Sequence, residues 1–372
     1  MAISQSAYEM MKQRANTLFW DLNVYTDAVN RFSSGENPYS IQSDLLFVYQ
    51  PIVLRFFALF KGSLGTLLFS GYLFALFQFL TTLKTKSSSL WFAFFVGSSF
   101  LGLSTLSFVT GNITFFLHLL ITATLLAGID QKSSRRTFCM TVGFASLIKP
   151  YMLAYLVIPV VFDYYRNAGI RAALRSSLYV ILVYGLICLV EFRLDPDLTH
   201  GFLTALKTQT IERGDIGLSL YGFFKGLSGA NHLWSLLAHV LSIAFIGLVM
   251  LAHLFKQHTK DELALILLLY FTLTLINPRL KEYDIPLAMF ALFASAVLTS
   301  TNKRDWLFLV FSNLPAFIHS FVTKGFFSAS GRVLYLTIGL YMMFFLFKFL
   351  SRGATDSAKS NEADHPCLQL GS

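Results

Sequence analysis

The sequence predicts an all-α, polytopic integral membrane protein: a helical bundle with about nine full spans plus a short hairpin broken at Lys149-Pro150. Three observations predict it. Of 372 residues, 55% are hydrophobic and only 13% charged, whereas an ordinary soluble domain carries about 25% charged residues. The apolar residues fall into runs close to the ~20 that cross a bilayer as a helix. The basic residues, which give a net charge of +9, sit in short groups between those runs.

The runs fall at 63–83, 89–109, 112–129, 175–191, 233–256, 261–276, 285–301, 305–322 and 331–350. The segment 137–163 is longer than one crossing and is interrupted at Lys149-Pro150. Proline removes a helix donor and disfavours helix at the residue before it. The loops holding Lys84 and Lys86, Lys132, Arg135 and Arg136, Arg166, Arg171 and Arg175, Lys256 and Lys260, Lys303 and Arg304, and Arg352 are cytoplasmic by the positive-inside rule. The turn 109–112 has no basic residue and belongs to the other side. Both flanks of 137–163 then lie inside, so this segment is expected to be a hairpin of two helices too short to cross, its tip pointing outward. The outer face receives residues 1–62 as a first loop, Gly111-Asn112, the long loop 192–232, and Asn277 to Asp284. Residues 1–350 form one transmembrane domain, and the polar tail 351–372 is expected to be disordered in the cytoplasm.

Several classes are disfavoured. The basic residues form no continuous patch for a nucleic acid. Cys139, Cys188 and Cys367 are too irregularly spaced for a disulfide framework or a metal motif. The histidines at 118, 200, 232, 239, 253, 258, 319 and 365 form no close ligand set, so no metal and no cofactor is expected. No inverted repeat of the transporter kind is evident.

The chemistry-bearing residues gather on the outer face. Asp21 opens a polar stretch next to the apolar runs, and a carboxylate there is costly to desolvate. It reads as a candidate base, or as a helix cap or loop acid; Asp27 is a weaker candidate. Tyr25 lies one turn after Asp21 if the stretch is helical. Asn37-Pro38-Tyr39 and Tyr49-Gln50-Pro51 read as a turn and a helix start. Lys149 is an ammonium between apolar runs, which normally has an anionic partner. Gly111-Asn112-Ile113-Thr114 begins a helix, whose free N–H groups suit a phosphate unless Asn112 simply caps it. Asn277 to Asp284 packs four charges between two spans, with Arg279 able to clamp a phosphate by its planar fork.

The order Asp21-x-x-x-Tyr25, Gly35-x-x-Pro38-Tyr39 and Tyr49-x-Pro51 resembles the first extracytoplasmic loop of GT-C glycosyltransferases, and in particular glycosyltransferase family 87. Lys149-Pro150, Gly111-Asn112 and Pro278-Arg279-x-x-x-Tyr283-Asp284 resemble further segments of that family in the same order. Gly217-Leu218-Ser219-Leu220 resembles another, but lacks its Asn; Glu212, Arg213 and Asp215 before it read as ordinary loop charges. The resemblance implies a GT-C fold and transfer of a hexose such as mannose; one evident carboxylate base and direct attack imply inversion, and metal-independent chemistry is expected. The donor would be a polyprenyl-phosphate sugar and the acceptor a lipid or glycan outside a bacterial plasma membrane, with membrane lipids and no nucleic acid as partners. Asp21 is then the catalytic base, Lys149, Arg279 and Asn112 bind the donor phosphate, and Tyr25, Tyr283 and Asp284 bind substrate. The first loop has no D-x-D or E-x-D pair, which disfavours a metal-bound diphosphate donor.

One departure stands out. Relatives have a transmembrane helix before the Asp loop, and residues 1–20 here are too polar to span. The expectation is a start further upstream or an N-terminus that crosses by another route. Two alternatives to an active transferase remain at this stage: a transporter or lipid flippase, and a truncated non-catalytic relative.

Overall fold

The computed structural model describes residues 19–39, 46–86, 88–97, 110–212, 217–227, 231–257, 262–281, 283–300, 302–322 and 330–363, and among these it is helical with no strands. The helices are α1 (Trp20–Ser33), α2 (Pro51–Leu59), α3 (Leu64–Lys86), α4 (Ser88–Gly97), α5 (Ile113–Ala127), α6 (Lys132–Ile148), α7 (Val157–Tyr165), α8 (Arg171–Leu194), α9 (Pro196–Lys207), α10 (Leu220–Leu227), α11 (His232–Gln257), α12 (Glu262–Leu275), α13 (Ile285–Thr299), α14 (Lys303–Val322) and α15 (Ser330–Ala363). A 3-10 turn, Pro150–Leu156, joins α6 to α7, and a π turn, Thr208–Glu212, follows α9.

Three stretches are long and apolar enough to cross a membrane: Leu64–Lys86, Arg171–Leu194 and His232–Met250. They expose leucine, valine and phenylalanine along much of their length, for example Leu73 and Phe77, Leu182 and Leu186, and Leu241 and Phe245. Among the described residues the nine spans expected from hydropathy are not confirmed. The difference has a physical reason. Helices α5, α12 and α13 are only 14–15 residues long, about 21–22 Å at 1.5 Å per residue, against about 30 Å of hydrocarbon. Nearly every residue of the three is buried. They pack on one another's neighbours, α12 on α13, α13 on α4 and α5 on α3. A helix wrapped in protein is not obliged to match lipid thickness. Much of the expected span 89–109 lies outside the described residues.

The segment 137–163 has α6 packed against the 3-10 turn that follows it. Its base is fastened: Arg135 Nη1 and Nη2 each donate to one oxygen of Asp163 at 2.7 Å, and Asp163 is buried. Arg166 pairs with Glu262 at 2.9 Å, and Lys348 pairs with Asp305. These three ion pairs join segments that the basic-residue pattern assigns to one side. Of the tail, residues 364–372 lie outside the described residues. Helix α15 continues from the apolar stretch to Ala363. Adding a residue to an existing helix costs little, and Ala354, Ala358, Lys359 and Glu362 are good helix formers.

Candidate functional site

The opposite end of the bundle collects polar and charged side chains from four distant segments. Helix α1 begins after Phe19, whose backbone is left-handed (φ 61°), and carries Asp21 in its first turn, where a carboxylate complements the helix dipole. Asn112 is the N-cap of α5. Its Oδ1 accepts from Thr114 N at 2.9 Å, and its Nδ2 donates to Asp21 Oδ2 at 2.7 Å. One amide therefore caps a helix and aims the carboxylate. Ile113 N, the next free donor, already points at Tyr25 Oη at 3.4 Å.

Lys149 owes its place to Pro150. The helix stops at Lys149, whose backbone is extended (φ −133°, ψ 94°), and Pro150 opens the 3-10 turn. The side chain is buried at 8% exposure. Its Nζ lies 4.5 Å from the centroid of the Tyr49 ring and 5.9 Å from that of Tyr283, cation–π distances. Among the described residues, Lys149 Nζ has no hydrogen bond and no ion pair.

The loop between α12 and α13 is built on two side chains. Asn277 Oδ1 accepts from Arg279 N at 3.0 Å. Asp284 is fully buried and accepts four donors: Lys281 N at 2.8 Å, Asn277 Nδ2 at 3.2 Å, Tyr151 Oη at 2.7 Å and His118 Nε2 at 3.1 Å. From outside, residues 217–218 brace the same loop: Leu218 N donates to Leu280 O at 2.7 Å. Gly217 has φ +63°, and a Cβ there would stand 2.1 Å from Leu280 O, so only glycine fits. Tyr335 Oη donates to Leu218 O.

The groups act on each other electrostatically. Burial pushes the Asp21 carboxyl up to about 6, against the opposing pull of the Asn112 hydrogen bond and of Lys149, Lys281 and Arg279. Burial pushes the Lys149 ammonium down to about 7; Arg279 adds to the fall, while Asp284 and Asp21 oppose it. Lys149, Arg279 and Lys281 thus face Asp21, while the charge of Asp284 is tied up by four protein donors. Among the described residues three cations act on the Asp21 carboxylate, which suits an anion and a proton acceptor together.

Of the residues singled out from the sequence, Asp21, Asn112, Lys149, Arg279, Tyr283 and Asp284 come to this one end. Asn112 contacts Asp21 and its own helix. Tyr25 is 1% exposed and shares a hydrogen bond with Tyr49 Oη at 3.0 Å, so its polar atom faces inward. Asp27 lies on the surface, paired with Arg31 at 3.0 Å. Ser219 accepts from Gly222 N at 3.0 Å and shapes the start of α10. Arg213 and Asp215 fall outside the described residues. Sequence reasoning passed over His118, Tyr151, Lys281 and the ring of Tyr49. A histidine inside an apolar span was the available signal for the first. No three His, Cys, Asp or Glu side chains come together as a metal-ligand set among the described residues.

No protein-family model matches this chain, and no curated protein matches it.

Proposed function

We propose that the protein is an integral-membrane glycosyltransferase that takes a hexose from a polyprenyl-phosphate donor and inverts its anomeric carbon. The observation that carries this reading is Lys149: a buried ammonium with no hydrogen bond and no ion pair among the described residues, lying over the rings of Tyr49 and Tyr283 and electrostatically coupled to Arg279, Asp284 and Asp21. A buried charge is costly unless paired, and a phosphate monoester supplies the missing anion.

The chemistry follows from the placement. An acceptor hydroxyl attacks the anomeric carbon on the face opposite the phosphate, and its proton passes to Asp21. The bond from the anomeric carbon to the phosphate oxygen breaks, and its electron pair leaves with the polyprenyl phosphate. Lys149, Arg279 and Lys281 stabilise the negative charge that grows on that group. Asn112 holds the Asp21 carboxylate in position, and Tyr283 borders the sugar. In this reading α5, α12 and α13, with the apolar runs 89–109, 305–322 and 331–350, join α3, α8 and α11 in a GT-C-like set of nine crossings, and the site opens outside a bacterial plasma membrane.

The test is equilibrium binding of farnesyl phosphate to the full chain in lipid nanodiscs, with farnesol and inorganic phosphate as separate arms. A hydrogen bond to a charged group is worth about 1.5–3 kcal/mol, so Lys149→Met is expected to weaken farnesyl phosphate binding about 10- to 100-fold. Binding of farnesol is expected to be unaffected. Equal affinity of wild type and Lys149→Met for farnesyl phosphate would contradict the proposal.

A further inference from the structure

His118 lies 166 residues before Asp284 in the chain, one and a half turns into α5, in a setting too elaborate for a packing residue. It is fully buried, with both ring nitrogens engaged. Nε2 lies 3.1 Å from Asp284 Oδ1 and 3.2 Å from Tyr151 Oη. Nδ1 lies 2.6 Å from Tyr270 Oη. A carboxylate only accepts, so Nε2 carries the proton and donates to Asp284. Tyr151 donates to the same carboxylate oxygen at 2.7 Å. The other oxygen of Asp284 takes Lys281 N and Asn277 Nδ2.

These contacts join three pieces of chain. Tyr151 is two residues past Lys149, at the hairpin tip. Asp284 closes the loop that carries Arg279 and Lys281. His118 stands on α5, the helix whose N-cap aims Asp21. A cluster of cations repels itself and tends to spread; something must hold the tip and the loop at one spacing. Neither Tyr151 nor Asp284 has another described side chain from α5 bonded to it.

We propose that His118 is a positioning residue for the anion site: it clamps Asp284 and Tyr151 to α5, which fixes Lys149 on the hairpin tip against Arg279 and Lys281 on the facing loop. This inference rests on the reading of that site as a phosphate site. His118 touches no substrate and transfers no proton.

Two isosteres separate the contacts of the ring. The amide nitrogen of glutamine falls where Nε2 lies and keeps the donor to Asp284. The amide of asparagine falls where Nδ1 lies and keeps only the partner to Tyr270. Farnesyl phosphate binding is measured for wild type, Lys149→Met, His118→Gln and His118→Asn in nanodiscs, together with thermal unfolding and hydrogen exchange of the amides at 279–284 and 151–153. Weakening a hydrogen bond between a charged group and the phosphate costs about tenfold or more, so His118→Asn is expected to weaken binding by about tenfold or more and to speed exchange at both distant segments at once. His118→Gln is expected to stay within about threefold of wild type with both segments protected. Equal binding and equal exchange in His118→Asn and His118→Gln overturns the clamp, whatever their thermal stability. If His118→Asn matches wild type while Lys149→Met loses binding, the clamp fails and the phosphate site stands. If Lys149→Met matches wild type, the site reading fails and the clamp with it.

Discussion

At the residue scale, the proposed transfer turns on two groups that burial drives toward each other across neutral pH. Asp21 must be ionised to take a proton, and its carboxyl stands near 6. Lys149 must be an ammonium to hold a phosphate, and it stands near 7. The signs run in opposite directions. Transfer is lost as pH falls through the Asp21 value, and donor binding is lost as pH rises through the Lys149 value. A plot of kcat/KM against pH, which reports the free enzyme, is therefore expected to be a narrow bell with limbs near 6 and 7. The Asn112 hydrogen bond lowers the Asp21 value, so Asn112→Ala is expected to move the acid limb to higher pH and leave the alkaline limb in place. A flat profile between pH 5 and 8, or an acid limb that does not move, would contradict these roles.

At the scale of the element, the hairpin of α6 and α7 delivers Lys149, and its base decides whether the tip stays put. Arg135 meets Asp163 fork to fork at 2.7 Å on both sides, with Asp163 2% exposed. Removing the guanidinium leaves a buried carboxylate unpaired, which costs about 3–5 kcal/mol. Arg135→Ala is accordingly expected to lower the thermal midpoint sharply, and Arg135→Ala/Asp163→Leu to restore most of the loss. A single variant as stable as wild type would show that the pair does not fasten the hairpin. This element was legible beforehand, because Pro150 breaks a helix by its own covalent structure and positive-inside counting placed both flanks on one side. The helix start at Asn112 and the turn chemistry at Gln50-Pro51 were legible for the same local reason: Pro51 is the first residue of α2, and Asn112 caps α5. The shortness of the enclosed helices was not. Hydropathy cannot tell an apolar residue that faces lipid from one that faces protein, and α12 and α13 are apolar all round because they are enclosed. The partnership of His118 with Asp284 was hidden too, since it depends on how α5 and the loop before α13 meet in space.

At the scale of the molecule, polar groups sort to two ends of an apolar bundle. One end holds ion pairs that tie helices together: Arg135 with Asp163, Arg166 with Glu262, and Lys348 with Asp305. The other holds Asp21, Asn112, Lys149, Arg279, Lys281 and Asp284, drawn from segments up to 263 residues apart by number (284 − 21). At the first end these three cations each meet a carboxylate; at the second, among the described residues, the buried Lys149 ammonium has neither a hydrogen bond nor an ion pair. That asymmetry separates a fastening from a site. The most direct measurement is single-turnover transfer of labelled hexose from a polyprenyl-phosphate hexose to a lipid-linked acceptor, by wild type and Asp21→Asn reconstituted in proteoliposomes. The account predicts transfer by wild type with inversion at the anomeric carbon, and in Asp21→Asn donor binding within about threefold of wild type with transfer reduced at least about 100-fold, as expected for loss of a general base. Transfer by Asp21→Asn at the wild-type rate would contradict it.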